Sequence, residues 1–186
     1  MKKNWLAIVT ITLMFATGLA HAGDKEAGRE ISLLCVSCHG AEGVSEHLNW
    51  PNFAGQNEGY IAKQLRDYRT GRRRNPWMSP MALGLSDSDI EDLAAYFSSL
   101  PPEKIRAGVR ITNSKQQTCI ACHGRNGVIE HYVWPNLAGQ KKLYLIDQMN
   151  RFRSDERVDP LMTPIAKTLS DRDIEELAEY YSSSSE

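Results

Sequence analysis

Cys35-Val36-Ser37-Cys38-His39 and, 84 residues further on, Cys119-Ile120-Ala121-Cys122-His123 decide how this chain is read. Both are Cys-x-x-Cys-His, the attachment signal for c-type haem. The spacing has a chemical reason. Two thiols three positions apart add across the vinyl groups of one haem, and the next histidine is placed to ligate its iron from one face. Together the motifs use all four cysteines of the chain. A redox dithiol or a zinc site would also use paired cysteines, but neither asks for histidine directly after the second cysteine, twice. The expectation is therefore two covalent haem c groups, on Cys35 and Cys38 and on Cys119 and Cys122, with His39 and His123 as axial iron ligands.

The same 84-residue offset pairs Trp50 with Trp134, Pro51 with Pro135, Gly55 with Gly139, Tyr60 with Tyr144, Met78 with Met162 and Ser86 with Ser170. No gap is needed from Cys35 to Ser99. A period this long marks a duplicated domain rather than a solenoid. Pro101-Pro102 punctuates the junction. The sequence thus predicts a signal segment over 1–22, one domain over 23–100 and a second over 101–186. If Gly28 and Gly108 are equivalent, the second copy has extra residues near Thr112 to Gln116, ahead of its motif.

Residues 1–22 read as a secretory signal. Lys2 and Lys3 precede an apolar run from Trp5 to Leu19, and Ala20-His21-Ala22 is a small-x-small cleavage site. An uncleaved membrane anchor is the competing reading, for which the run is short. Cleavage and covalent haem together point to the periplasm. The whole chain has a formal charge of −1. Without the leader, the first half has 8 basic and 11 acidic residues and the second has 12 of each. This mild asymmetry can present different faces to different partners. The run Arg72-Arg73-Arg74 is too short for a nucleic-acid signal, and no Gly-rich phosphate loop is present.

Each half reads as helices joined by loops, an all-α class. Lys25 to Leu34 is a short amphipathic candidate with Ile31 and Leu34 on one face. Glu58 to Thr70 places Ile61, Leu65 and Tyr68 three to four residues apart, with Gly71 as a C-terminal stop. Ser86 is an N-cap with Asp89 three residues on, and Ile90, Leu93, Ala94 and Phe97 mark the buried stripe of a helix ending near Leu100. Ser170, Asp173, Ile174, Leu177 and Ala178 repeat it. The Pro-, Gly- and Asn-rich stretch after each haem motif is loop, and Ser182 to Glu186 is a frayed end. Halves of about 80 residues build small cores, so the haem is expected to complete them.

The second iron ligand is read from the repeat. Met78 and Met162 coincide under the offset, each followed by Ser or Thr and then Pro, whereas Met81 aligns with Ile165 and Met149 with Leu65. A ligand common to both halves is then Met78 and Met162; thioether sulfur favours ferrous iron. Met81 and Met149 read as core filler. His47 and His131 also obey the offset and are the competing ligands, although surface histidines suit their Gly-rich loops. Pro51 and Pro135 fall twelve residues after His39 and His123, where a carbonyl can accept the imidazole Nδ1–H and fix the ring. Arg73, paired with Arg157, can reach a haem propionate. Arg72 and Arg74 read as solvated charge, and Trp50 and Trp134 as packing against the haem pocket.

These features resemble the di-haem class I cytochromes c of the cytochrome c-four type. The matching residues are both Cys-x-x-Cys-His motifs, Pro51-Asn52-Phe53-Ala54-Gly55-Gln56, Pro135-Asn136-Leu137-Ala138-Gly139-Gln140, Tyr60 and Gln64, Tyr144 and Gln148, and Met78 and Met162. The resemblance implies two tandem class I cytochrome c domains about a pseudo-twofold axis, both with His/Met ligation. It implies a periplasmic respiratory carrier with redox-protein partners: a quinol-oxidising complex or dehydrogenase as donor and a terminal oxidase or similar acceptor. Peripheral membrane association fits such a carrier. Two saturated irons leave no site for a small-molecule substrate, so enzyme activity is not expected. Two alternatives stay open: an electron-accepting subunit of a periplasmic dehydrogenase of the sulfide or alcohol type, and a di-haem peroxidase, which needs an accessible iron.

Overall fold

A computed structural model describes residues 23–102 and 114–182. The leader, the junction with its Gly108 and the start of the Thr112 to Gln116 stretch, and the frayed end beyond Ser182 lie outside the described residues. The first half runs α1 (Lys25–Ser32), α2 (Val36–His39), α3 (Glu58–Arg69), α4 (Met78–Leu83) and α5 (Asp87–Ser99). The second runs α6 (Gln116–His123), α7 (Lys142–Arg153), α8 (Met162–Ala166) and α9 (Asp171–Ser182). The described residues form helices and loops, as the patterning requires.

Local sequence explains where the helices begin. Ser86 and Asp89 close a reciprocal capping box on α5, which satisfies donors that a helix start leaves unpaired. Ser170 and Asp173 do the same for α9, with bonds of 3.0 and 3.2 Å. Asp24 caps α1 through the amides of Glu26 and Ala27. α3 ends at Gly71 with φ 75°, and the second copy places Asp155 there at φ 62°, a left-handed conformation that Asp tolerates better than most residues.

α5 is the spine of the first half, with α1 and α3 packed on it and α4 on α3. Ile61, Ala62, Leu65, Ile90, Leu93, Ala94 and Phe97 form the buried core. Each large side chain there is worth about 1.5–3 kcal/mol relative to exposure. Close crossing of α1 and α5 depends on Gly28, where a Cβ would lie 2.0 Å from the Asp92 carbonyl oxygen. Leu34 departs from the expected stripe. α1 stops at Ser32, the Cys35 amide bonds back to the Ser32 carbonyl at 2.7 Å, and Leu34 is turned outward at 64 % exposure. In the second half α7 packs on α8 and α9, around Leu169, Ile174, Leu177 and Tyr181.

The halves meet through the loops that follow the haem motifs. Asn52 Nδ2 donates to the Gly139 carbonyl at 2.8 Å, and Asn136 Nδ2 to the Gly55 carbonyl at 3.0 Å. Gln56 Nε2 donates to the Asn136 carbonyl and its Oε1 accepts from the Asn136 amide, at 2.9 and 2.7 Å. Gln140 repeats both bonds on Asn52, at 3.0 and 2.8 Å. Each of these six bonds has its mate under the 84-residue offset, so the contact has the pseudo-twofold arrangement. Symmetry fails at the rim. Gly59 lies against Tyr132, whose ring a Cβ would meet at 2.3 Å, while the equivalent of Gly59 is Leu143.

Candidate haem sites

In the first half Cys35 is the N-cap of α2, and Cys38 and His39 follow on that single turn. In the second half α6 spans the whole motif and ends at His123. Helical geometry sets the two thiols of each motif one turn apart with the histidine beside them. Burial pushes the Cys35 thiol up to about 11, with Cys38 adding to the effect, and burial likewise raises Cys119. Among the described residues no three His, Cys, Asp or Glu side chains cluster in a way that could hold a bare metal ion.

Both histidine rings are buried and oriented. His39 Nδ1 lies 2.8 Å from the Pro51 carbonyl oxygen, and His123 Nδ1 lies 2.9 Å from that of Pro135. A carbonyl only accepts, so each Nδ1 carries the hydrogen and each Nε2 keeps its lone pair. Burial holds both imidazoles below their ordinary pKa, against the opposing pull of the proline carbonyls. The rings are therefore neutral, the form that binds iron. Phe53 stacks on His39 at 4.0 Å and rests edge-on against Phe97 at 5.1 Å. The second half has Leu137 and Tyr181 at these positions.

The two methionines begin equivalent short helices. Met78 packs half-buried against the first core, together with Cys35. Met162 is also half-buried. Their backbones are pinned by residues that the sequence reading passed over. Asn75 Oδ1 accepts from the Trp77 and Met78 amides at 2.9 Å each, and the Asn75 amide donates to Ser79 Oγ at 3.0 Å. Asp159 Oδ1 accepts from Leu161 and Met162 at 3.0 Å each, and the Asp159 amide donates to Thr163 Oγ1 at 2.9 Å. The signal was present in the repeated Asn75-Pro76 and Asp159-Pro160 pairs, since an Asx side chain before proline commonly opens a turn or helix.

The other candidates divide. Met149 packs against the second core, but Met81 is 48 % exposed and is not filler. His47 is exposed and tilted against Trp50, with ring centroids 4.2 Å apart. His131 is not the solvated side chain expected from its loop. It stacks on Trp134 at 3.9 Å, and its Nδ1 is buried without a hydrogen-bond partner among the described residues. Trp50 and Trp134 thus spend a face on these histidines. Arg72 bonds Asp67 at 2.8 Å, and Arg73 and Arg157 turn into the contact between the halves.

The residues present fit a haem in each half. Each site offers two thiols, an oriented neutral imidazole and a soft thioether. Large apolar side chains beside these ligands in sequence stand exposed, among them Leu33 at 70 % and Trp77 at 72 %, which suits an apolar plate. Two helical domains so equipped define a di-haem class I c-type cytochrome.

Comparison with known proteins agrees. Residues 25–101 match the cytochrome c family, and residues 103–180 match the family of subunit III of cbb3-type cytochrome c oxidase. Cytochrome c4 of Pseudomonas aeruginosa is 35 % identical over 95 % of this chain and 97 % of its own length. A thiosulfate dehydrogenase electron acceptor of Stutzerimonas stutzeri is 34 % identical over 96 % of this chain and 94 % of its own. The crystal structure of reduced recombinant cytochrome c4 from Pseudomonas stutzeri superposes with a TM-score of 0.79 at 34 % identity, covering 88 % of this chain and all of that one. The chain belongs to the cytochrome c4 family. It carries two covalently attached haem c groups, one at Cys35 and Cys38 and one at Cys119 and Cys122.

Proposed function

We propose that this chain is a periplasmic electron carrier that takes electrons from a quinol-oxidising complex or a dehydrogenase and passes them to a terminal oxidase or similar acceptor. The domains are 23–100 and 101–186, released from the leader 1–22. His39 and His123 would hold the irons through Nε2, with Pro51 and Pro135 fixing those rings, and Met78 and Met162 would be the second ligands. Bound haem supplies a reversible one-electron couple at each site. The protein fixes the ligands and keeps the imidazoles neutral. The observation that supports this most is the duplication of one complete ligand set, from the proline-held histidine to the capped methionine. With His39 and Met78 at one haem and His123 and Met162 at the other, no position would be left for a substrate. Among the described residues no helix is long and apolar enough to cross a membrane.

The test separates ligand from filler. Met78→Ala should lose the far-red sulfur-to-iron band from one haem and lower one midpoint potential, and Met162→Ala should do so at the other. Met81→Ala should leave both spectra unchanged, and loss of the band in Met81→Ala or His47→Ala would overturn the assignment. Reduced protein should be reoxidised quickly by oxidase-containing membranes, at a rate that falls with salt, because steering by charge is screened.

The relative named as a thiosulfate dehydrogenase electron acceptor favours a second reading, in which the chain is the electron-accepting subunit of a periplasmic dehydrogenase. A one-to-one complex with such an enzyme that survives high salt would support it over the free carrier.

A further inference from the structure

Beside the proposed thioether ligands the repeat changes charge but not geometry. Asn75 and Asp159 coincide under the 84-residue offset, and each is half-buried and followed by proline. Their side chains make the same bonds. Oδ1 of Asn75 accepts from the Met78 amide at 2.9 Å, and Oδ1 of Asp159 from the Met162 amide at 3.0 Å. The amides of Asn75 and Asp159 donate to Ser79 Oγ and Thr163 Oγ1 at 3.0 and 2.9 Å. A neutral carboxamide thus caps the first methionine segment and a carboxylate caps the second.

The surrounding charges do not undo this difference. Arg73 and Arg157 coincide under the offset and cross the contact alike. Arg73 reaches Tyr144 Oη and Gln148 Oε1 at 3.0 and 2.5 Å, and Arg157 reaches Tyr60 Oη and Gln64 Oε1 at 3.2 and 2.9 Å. Two other anions of the second segment are neutralised, Asp155 by Lys167 at 2.7 Å and Glu156 by Arg151 at 3.3 Å. Among the described residues no cation pairs with Asp159. In the first segment Gly71 and Arg72 stand in place of Asp155 and Glu156, and Arg74 stands where the second has Val158. These differences point the same way: the second methionine segment is the more negative.

We propose that the Asp159 carboxylate is a potential-setting charge: it favours ferric iron at the second haem, and the neutral Asn75 leaves the first haem without that bias. The proposal rests on the two haems and on Met78 and Met162 as their ligands. Oxidising an iron adds one positive charge to its site, and a carboxylate held beside an axial ligand stabilises that charge. Asp159 caps the Met162 segment and takes no part in ligation, so it tunes the site from outside. Its charge biases a single electron toward the first half.

The test is an equilibrium redox titration of the di-haem protein, with haem-methyl proton resonances separating the two haems. Asp159→Asn keeps the Oδ1 acceptor and removes the charge. The second haem should become easier to reduce. Its ferric-to-ferrous ratio at fixed ambient potential should fall roughly threefold, about 28 mV for a one-electron couple, a modest shift because a half-exposed charge is partly screened. The first haem should move much less. Asn75→Asp should do the reverse at the first haem. Both shifts should shrink as salt is raised, which a change in packing would not do. The far-red sulfur-to-iron band should persist in both variants, because the cap bonds remain. Asp159→Ala, which removes them, should weaken it at the second haem. The halves also differ at Phe53 and Leu137, so the readout is the change on each substitution and not the native difference between the haems. An unchanged or lowered second potential in Asp159→Asn, or equal shifts at both haems, overturns the proposal. A band that survives Met162→Ala would refute the ligand assignment, whereas a missing shift in Asp159→Asn refutes the charge alone.

Discussion

Asn52→Ala should be among the most destabilising polar substitutions in the first half. Its side chain bridges two buried backbone groups in different domains. Oδ1 accepts from the Ser45 amide at 2.9 Å, and Nδ2 donates to the Gly139 carbonyl at 2.8 Å. Ser45 is 2 % exposed and Asn52 is 7 % exposed, so water cannot replace the lost partners without opening the interface. Leaving a buried backbone group unpaired costs about 1–3 kcal/mol, so the two together cost roughly 2–5 kcal/mol. Asn136 makes the equivalent bonds to the Ile129 amide and the Gly55 carbonyl, but Asn136, Ile129 and Gly55 are only half-buried. Asn136→Ala should therefore cost about half as much. Both asparagines share the lattice of Gln56 and Gln140, so the double variant should be non-additive by about 0.5–3 kcal/mol. Guanidinium denaturation of the di-haem protein, followed by haem absorbance and by tryptophan fluorescence, measures all four corners of the cycle. Equal costs for the two single variants, or both within about 0.5 kcal/mol of the parent, would refute the claim that burial of the interface lattice sets its worth.

Gly28→Ala should cost about 3 kcal/mol, the upper end for overpacking, because the new Cβ meets the Asp92 carbonyl oxygen at 2.0 Å and backbone cannot yield as a side chain can. Gly84→Ala, with nothing within 4 Å of its Cβ and φ −82°, is the control and should be neutral or mildly stabilising in the same denaturation assay. Asp67 governs part of the acid response. Burial raises its pKa, but the Lys63 and Arg72 hydrogen bonds outweigh it and hold the carboxyl below its ordinary 3.8. Its contribution is therefore complete above about 3.8 and is lost as pH falls through the lower folded value. Asp67→Asn should lower stability by a constant amount above pH 5 and converge with the parent in more acid solution. A gap that widens as pH falls would contradict that sign.

The helices that were legible in sequence are those whose caps and stripe agree. α5 announces itself by Ser86, Asp89 and the apolar series from Ile90 to Phe97, and α9 repeats it. Leu34 was misplaced because its hydrophobic spacing continues beyond the point where the backbone turns into the Cys35 motif. Periodicity reports side-chain character and not the last hydrogen bond of a helix. α4 and α8 were not read from the sequence: they are short, and Pro80 and Pro164 sit in their first turns, where a missing amide hydrogen costs nothing. The haem-attachment cysteines were legible because their spacing is covalent chemistry. The partners of Arg73 were not. A guanidinium that bonds Tyr144 and Gln148 satisfies a constraint created only when two domains close, and no local pattern records which face of a domain will be covered. The equivalence of Arg73 with Arg157 was visible in the repeat; its meaning depended on the interface.

One short loop links the chemistry of each site to the contact between domains. Over 51–57, the Pro51 carbonyl meets the His39 imidazole, the next residue donates to Gly139, and Gln56 bonds both backbone groups of Asn136. The second copy does the same with Pro135, Asn136 and Gln140. A domain alone would keep its thiols, histidine and methionine, but the loop that orients the histidine would lose the six bonds through which the two loops hold each other. The methionine segment is exposed to the same loss, through the arginine two residues before its cap. The proposed ligands of each half are thus supported by the other half. That dependence gives a physical reason for two sites to remain on one chain: closing the interface orders the histidine loops of both at once.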